Sequence, residues 1–137
     1  MVILQLNWLA IAVSAIAYFS LGAIWFNPKV FGNIWMKGHG ITAPTEEDKK
    51  NMGKIMGMSF IKTAVLTILV AYIVMIINYS GNTMTALKIG AVLGGIASFP
   101  IGINYLFMKK SFTTWLIDGG YHVCGVIIAS LIISAWR

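Results

Sequence analysis

Residues 115–125, WLIDGGYHVCG, place an acid and a histidine inside the last long apolar segment of the chain. Asp118 is the only acidic residue inside any of these segments, and His122 follows it by one helical turn. Because positions i, i+3 and i+4 of an α-helix share a face, Asp118, Tyr121 and His122 are predicted to point the same way. A charged side chain inside a membrane costs about 2.5–3.5 kcal/mol at the helix centre. Asp118 therefore marks either a functional site or a bond that holds two helices together.

The composition indicates an integral membrane protein. Of the 137 residues, 58% are hydrophobic and 10% are charged, and the mean hydropathy is +0.83, far above the average soluble domain. Apolar stretches of about 20 residues take up most of the chain, which predicts an all-α membrane protein with four transmembrane helices. The formal charge of +6 comes mostly from lysines beside these stretches. Those lysines indicate contact with the lipid bilayer and no nucleic-acid partner.

The predicted spans form a single domain, residues 1–137, with one long and two short connections. Their approximate bounds are residues 4–26, 58–79, 84–108 and 113–136. Residues 27–57 form the long connection, in which Asn27 and Pro28 predict the start of a short amphipathic helix, residues 28–37, lying in the headgroup region. A capping box between Thr45 and Asp48 then predicts a helix that continues without a break into the second span.

The basic residues are distributed unevenly between the two sides of the membrane. Eight lysines flank the first and third connections, whereas Lys88 and Arg137 fall on the other side. The positive-inside rule therefore predicts that the first and third connections are cytoplasmic and that both termini lie outside. Asp118 would then lie about 7 Å inside the cytoplasmic boundary, from five residues at about 1.5 Å each.

The third predicted span carries small residues at every fourth position. These residues are Ala86, Gly90, Gly94, Ser98 and Gly102. Such a small-residue ridge lets two helix backbones approach closely in lipid. We expect the ridge to form a homodimer interface or, alternatively, to pack against another helix of the same subunit.

Two motifs resemble those of a known family. Residues 22–37 contain the pattern G-x-x-W-F-x-P-x-x-F-G-x-x-W-M-K, and residues 116–123 read LIDGGYHV. Together with the spacing of the four spans, they make essentially the whole chain similar to the membrane family called domain of unknown function 1761 (DUF1761). The resemblance implies a small, mostly prokaryotic four-helix protein of the cytoplasmic membrane. It implies no activity, ligand or catalytic residue.

Polar residues near the predicted cytoplasmic ends of the spans support a first functional hypothesis. They are Trp25, Asn27, Lys62, Asn104, Tyr105, Asp118, Tyr121 and His122. If they converge, they form a pocket open to the cytoplasm in which Asp118 and His122 exchange a proton and Lys62 supplies the counter-charge. This arrangement predicts a conduit or carrier for a small solute, ion or proton.

Other hypotheses use the same residues differently. In one, the polar face only packs helices, and the chain is a structural or partner-binding membrane protein. In another, soft ligands handle copper(I). The weak candidates for this role are Met52, Met56 and Met58, together with Met36, His39, His122 and Cys124. Methionine at helical spacing is more often adaptable packing.

Motifs typical of soluble enzymes are missing from the sequence. It has no P-loop, no dinucleotide-binding glycine motif, no HExxH and no GxSxG. The chain has four acidic residues, and three of them are clustered at one predicted helix start. The sequence therefore offers few carboxylates that could act as a catalytic pair. We therefore predict no cofactor and lean against an enzyme, although acid–base chemistry on a lipid or quinone at Asp118 and His122 stays open.

Overall fold

The computed structural model describes residues 5–136, and every regular element in that range is helical. The elements are α1 (Trp8–Trp25), a π-helical turn (Pro28–Gly32), α2 (Asn33–His39), α3 (Glu46–Ile77), α4 (Thr83–Phe107) and α5 (Phe112–Ala135). Of these, α1, α3, α4 and α5 are long and apolar enough to cross a membrane. The predicted all-α fold with four such helices is confirmed. Leu4, the predicted start of the first span, and Arg137 lie outside the described residues.

Polar residues cap the N-terminus of each long helix, where backbone N–H groups have no partner within the helix. Asn7, Asn82 and Ser111 accept the N–H of the residue three positions later, at 3.0, 2.9 and 3.2 Å. At α3, Thr45 and Asp48 form the predicted capping box. As predicted, α3 runs without a break from there through the second span.

The first connection differs from the single helix predicted over residues 28–37. Its first part is a π-helical turn, in which the Gly32 N–H donates to the Asn27 carbonyl, five residues back, at 3.0 Å. A side chain on Gly32 would collide with the Phe26 carbonyl oxygen, so the turn depends on glycine. The α-helix that follows ends at His39, because Gly40 adopts a left-handed φ of 71°. The sequence pattern placed this helix too early along the chain.

Helix α5 occupies the centre of the fold and packs against α1, α2, α3 and α4. It runs antiparallel to α1, since Asn7 donates to the Trp136 carbonyl at one end and Trp25 donates to the Ile117 carbonyl at the other. The core lies around α5 and includes the fully buried side chains of Tyr18, Val74 and Val126. A residue on α5 can therefore contact any of four neighbouring helices, depending on its direction.

The small-residue ridge of α4 packs against α5 within the same chain. A side chain on Gly90 or Gly94 would come within 2.7 Å of the α-carbon of Ile127 or Val123 on α5, respectively. Ala86 and Ser98 are also buried, and Gly102 faces the indole of Trp115. The expectation that this ridge forms a homodimer interface is therefore wrong, because α5 already occupies it. A homodimer through another surface stays a prediction.

Candidate functional site

Asp118 lies in the second turn of α5, and its carboxylate is bonded to side chains from two other helices. The Oδ1 atom accepts a hydrogen bond from Trp35 Nε1 at 2.8 Å. The Oδ2 atom accepts one from the Tyr105 hydroxyl at 2.6 Å and lies 3.0 Å from His39 Nε2. We call Trp35, His39, Tyr105 and Asp118 the Asp118 cluster. The Asp118 side chain is 15% exposed, so these partners replace most of the water that an exposed carboxylate would bind.

Helix α2 supplies two of the three partners because it lies against the N-terminus of α5. Trp35 and His39 are four residues apart and therefore share a face of α2. Gly38 lies at the contact point, where an added Cβ would collide with Thr114 Oγ1. On the same side, Lys110 Nζ donates to the Gly38 carbonyl at 3.4 Å. A glycine thus brings α2 close enough for its two side chains to reach Asp118.

The geometry around the carboxylate determines where His39 carries a proton. An ionised carboxylate only accepts hydrogen bonds, so the facing Nε2 atom of His39 must be protonated, in either the neutral or the charged ring. The His39 side chain is 18% exposed, which leaves this pair accessible from one side. The Tyr105 hydroxyl also lies 3.4 Å from Nε2. The cluster therefore contains an acid and a histidine in direct contact.

The structure shows no hydrogen bond between Asp118 and His122, so their predicted proton exchange stays a prediction. His122 Nδ1 is hydrogen-bonded at 2.6 Å to the hydroxyl of Tyr18 on α1, and Tyr121 donates to the Tyr18 carbonyl at 3.2 Å. Positions i and i+4 are offset by about 40° around a helix of 3.6 residues per turn. On a helix with several neighbours, this offset directs Asp118 toward α2 and α4, and His122 toward α1.

The predicted ion pair between Asp118 and Lys62 is wrong. Lys62 and Asn104 are exposed, and among residues 5–136 the one ion-pair partner of Asp118 is His39. Both carboxylate oxygens already accept hydrogen bonds from side chains of α2 and α4, which stabilise the carboxylate in place of a lysine. Asn27 caps the π-helical turn by accepting the Lys29 N–H at 2.9 Å.

Aromatic rings separate the Asp118 cluster from the Tyr18–His122 pair. Phe26 packs against both Trp35 and Tyr121, with ring centroids 5.3 and 5.2 Å apart. Tyr121 in turn packs against His122 at 5.1 Å. Of the predicted site residues, the structure thus brings Tyr105 into bonding contact with Asp118. Trp25 of α1 donates to the carbonyl of Ile117, the residue before Asp118, and Tyr121 lies one turn further along α5. The rings of Phe26 and Tyr121 thus form apolar surface between the two polar groups.

Three residues of these networks were absent from the predicted carrier site. Trp35 was assigned to the apolar side of an interfacial helix, His39 to a glycine turn, and Tyr18 to the polar groups of the first span. The i, i+4 spacing of Trp35 and His39 was the available signal for two of them. It indicates a shared face but not the helix that the face meets.

The candidate copper ligands do not converge. Met52, Met56 and Met58 are exposed on the N-terminal half of α3. His39 is bonded to Asp118, and His122 to Tyr18. Over the described range, no group of three or more His, Cys, Asp or Glu side chains could hold a metal ion together.

Comparison with known proteins agrees with the motifs in the sequence. A family model described as "Protein of unknown function (DUF1761)" matches residues 9–134. No curated protein and no solved structure matches the chain. Four helices of this chain are long and apolar enough to span a membrane. Because the family match covers nearly the whole chain, this protein belongs to the DUF1761 family of proteins of unknown function.

Proposed function

We propose that this protein is a small membrane carrier or conduit for a solute, ion or proton, and that the His39–Asp118 pair is its proton-binding site. The observation that carries the proposal is the direct contact, at 3.0 Å, between a partly exposed histidine and an acid inside a membrane-spanning helix. Ionisable side chains at such depths typically mark ion pathways and proton relays. Histidine also changes its charge in the physiological pH range.

The bonding pattern indicates how a proton would change the site. The ionised carboxylate accepts bonds at both oxygens, and hydrogen bonds to a charged group contribute about 1.5–3 kcal/mol each. Protonation of Asp118 removes that charge and weakens the bonds from Trp35 and His39. Helix α2 is then held less firmly against α5, and the cytoplasmic end of the bundle becomes more accessible. Proton binding would thereby be coupled to movement of α2.

The proposal includes an orientation in the cytoplasmic membrane of a prokaryote. The excess of lysines beside the first and third connections favours a cytoplasmic position for both, with the two termini outside. In this orientation the π-helical turn and α2 lie at the cytoplasmic headgroups, with Val30 of the turn and Ile34 of α2 exposed. The Asp118 cluster would then exchange protons with the cytoplasm.

Proton flux into liposomes tests this function. Purified protein is reconstituted with an internal pH-sensitive dye, and a potassium diffusion potential drives protons inward. The wild-type protein should acidify the lumen faster than empty liposomes do, and Asp118→Asn should abolish the difference while its thermal melt stays cooperative. Asp48→Asn is the matched control, because Asp48 is exposed and caps α3. Wild-type flux equal to that of empty liposomes would remove the proton-carrier proposal.

A structural or partner-binding protein is the second candidate. It is favoured by the number of partners around Asp118, since three side chains from α2 and α4 attach those helices to α5. A carboxylate bonded in this way can stabilise a bundle without any transport. In that case Asp118→Asn would lower the melting temperature, and wild-type and variant proteins would both leave the liposome lumen unchanged.

A further inference from the structure

A groove of about 270 Å³ opens on the outside of the α4–α5 pair, beside the Asp118 cluster. Its apolar walls are formed by Phe99, Ile103, Leu106, Phe112 and Trp115. The first four of these side chains are each more than half exposed, so in a membrane they face lipid. The volume is just below the range of about 300–1,000 Å³ typical of pockets that enclose a small molecule. An open groove of this size has room for part of one lipid acyl chain.

One wall of the groove is held rigidly in place. Trp115 Nε1 donates to the Ser98 carbonyl at 3.0 Å, and the indole packs between Phe99 and Phe112 with ring centroids 5.7 and 5.2 Å away. Gly102 lets the indole approach α4, since an added Cβ would lie 2.8 Å from Nε1. A wall that is already ordered loses little conformational entropy when an apolar chain binds.

The groove is charged at one end only. Lys110 and Ser111 line its mouth, next to the N-terminus of α5 at Phe112. That helix end adds partial positive charge, and no acid lines the groove among the described residues. From the last residue of α4, Phe107, the groove extends back to Phe99, eight residues or about 12 Å deeper. The groove thus has a cationic mouth and an apolar interior.

We propose that the groove binds an anionic phospholipid, with its phosphate at Lys110 and one acyl chain along Phe99 and Trp115. Positively charged residues at a membrane surface attract anionic headgroups, and the aromatic walls offer apolar surface to a chain. A soluble anion would use the mouth alone and leave the apolar walls without a ligand. This lipid site does not depend on the proposed carrier function.

The same groove contacts the Asp118 cluster. Tyr105 lines the groove, and its hydroxyl donates a hydrogen bond to Asp118. Lys110, which also lines the groove, donates a hydrogen bond to the Gly38 carbonyl on α2. A phosphate at Lys110 competes for that lysine with α2. Lipid occupancy is therefore expected to alter how firmly α2 is held against α5.

Fluorescence quenching by brominated lipids tests the site. The Trp115 signal is the difference between the wild-type protein and Trp115→Phe, measured in nanodiscs that contain brominated phosphatidylglycerol or brominated phosphatidylcholine. Brominated phosphatidylglycerol should quench this signal at a lower mole fraction than brominated phosphatidylcholine does. Lys110→Gln should reduce the preference by about fivefold, the factor expected of one lysine at a headgroup. Lys88→Gln, an exposed lysine in the first turns of α4, should leave the preference unchanged.

Native mass spectrometry provides a second readout that needs no tryptophan variant. The wild-type protein should retain phosphatidylglycerol in preference to phosphatidylcholine, and Lys110→Gln should lose this preference. Equal retention of the two lipids would overturn the proposal.

Discussion

Substituting Gly38 by alanine should separate α2 from α5. The added methyl group collides with Thr114 Oγ1 and lies 3.1 Å from both the Cβ and the Cγ2 of Thr114, which is itself buried. Overpacking of this kind costs about 1–3 kcal/mol when neighbours shift but keep their contacts. If α2 instead leaves α5, the bonds from Trp35 and His39 to Asp118 are lost, at about 1.5–3 kcal/mol each. Alanine also favours the helical conformation at this position by up to about 1 kcal/mol. We therefore expect Gly38→Ala to be less stable, by at least about 1 kcal/mol, than a glycine-to-alanine variant at an open helical position.

The free energy of unfolding in detergent micelles measures this effect. Gly57→Ala is the matched control, because a side chain at Gly57 on α3 meets no atom within 4 Å. Alanine is a better helix former than glycine, so this control should gain up to about 1 kcal/mol. Because both variants gain the same helix propensity, the difference in their free energies of unfolding measures the collision at Gly38. Thr114→Ala should restore part of the stability lost in Gly38→Ala.

A stability of Gly38→Ala equal to or greater than that of Gly57→Ala would refute this reasoning. It would mean that α2 is not held against α5, and that Trp35 and His39 do not bond to Asp118 in solution. A loss that Thr114→Ala does not relieve would place the collision elsewhere in the structure.

Three further predictions concern the Asp118 cluster, the helix interface and the orientation. A double-mutant cycle on Asp118→Asn and His39→Gln should give a coupling of about 1–3 kcal/mol, and one with Lys62→Met in place of His39→Gln less than about 0.5 kcal/mol; the reverse order would restore the lysine pair. Gly94→Ala should destabilise the protein by about 1–3 kcal/mol because of Val123, whereas Gly95→Ala, with open space around it, should not; equal effects would contradict the α4–α5 contact. In a Cys124→Ser background, an impermeant thiol reagent on intact cells should label Asn82→Cys rapidly and Thr45→Cys slowly. Both are exposed N-cap positions, so the opposite result would invert the proposed orientation.

The number and type of helices could be predicted from the sequence because they depend on local properties. Apolar segments of spanning length must form helices to satisfy their backbone groups in lipid, whatever surrounds them. The helix start at Thr45 follows from a side chain that bonds to the N–H three residues later. The importance of Asp118 was likewise predictable, since the cost of a carboxylate at that depth requires a partner.

The identity of each partner was decided by the tertiary structure. Trp35 and His39 lie 83 and 79 residues from Asp118 along the chain, and no local pattern relates them to it. Sequence position indicated that Lys62 had a depth similar to that of Asp118, but it did not indicate the direction in which Lys62 points. Likewise, the ridge at Gly90 and Gly94 required a close neighbour but did not specify α5 or a second subunit. Depth and helix periodicity are local properties, whereas the direction and the neighbour of a helix face are set only when the helices pack.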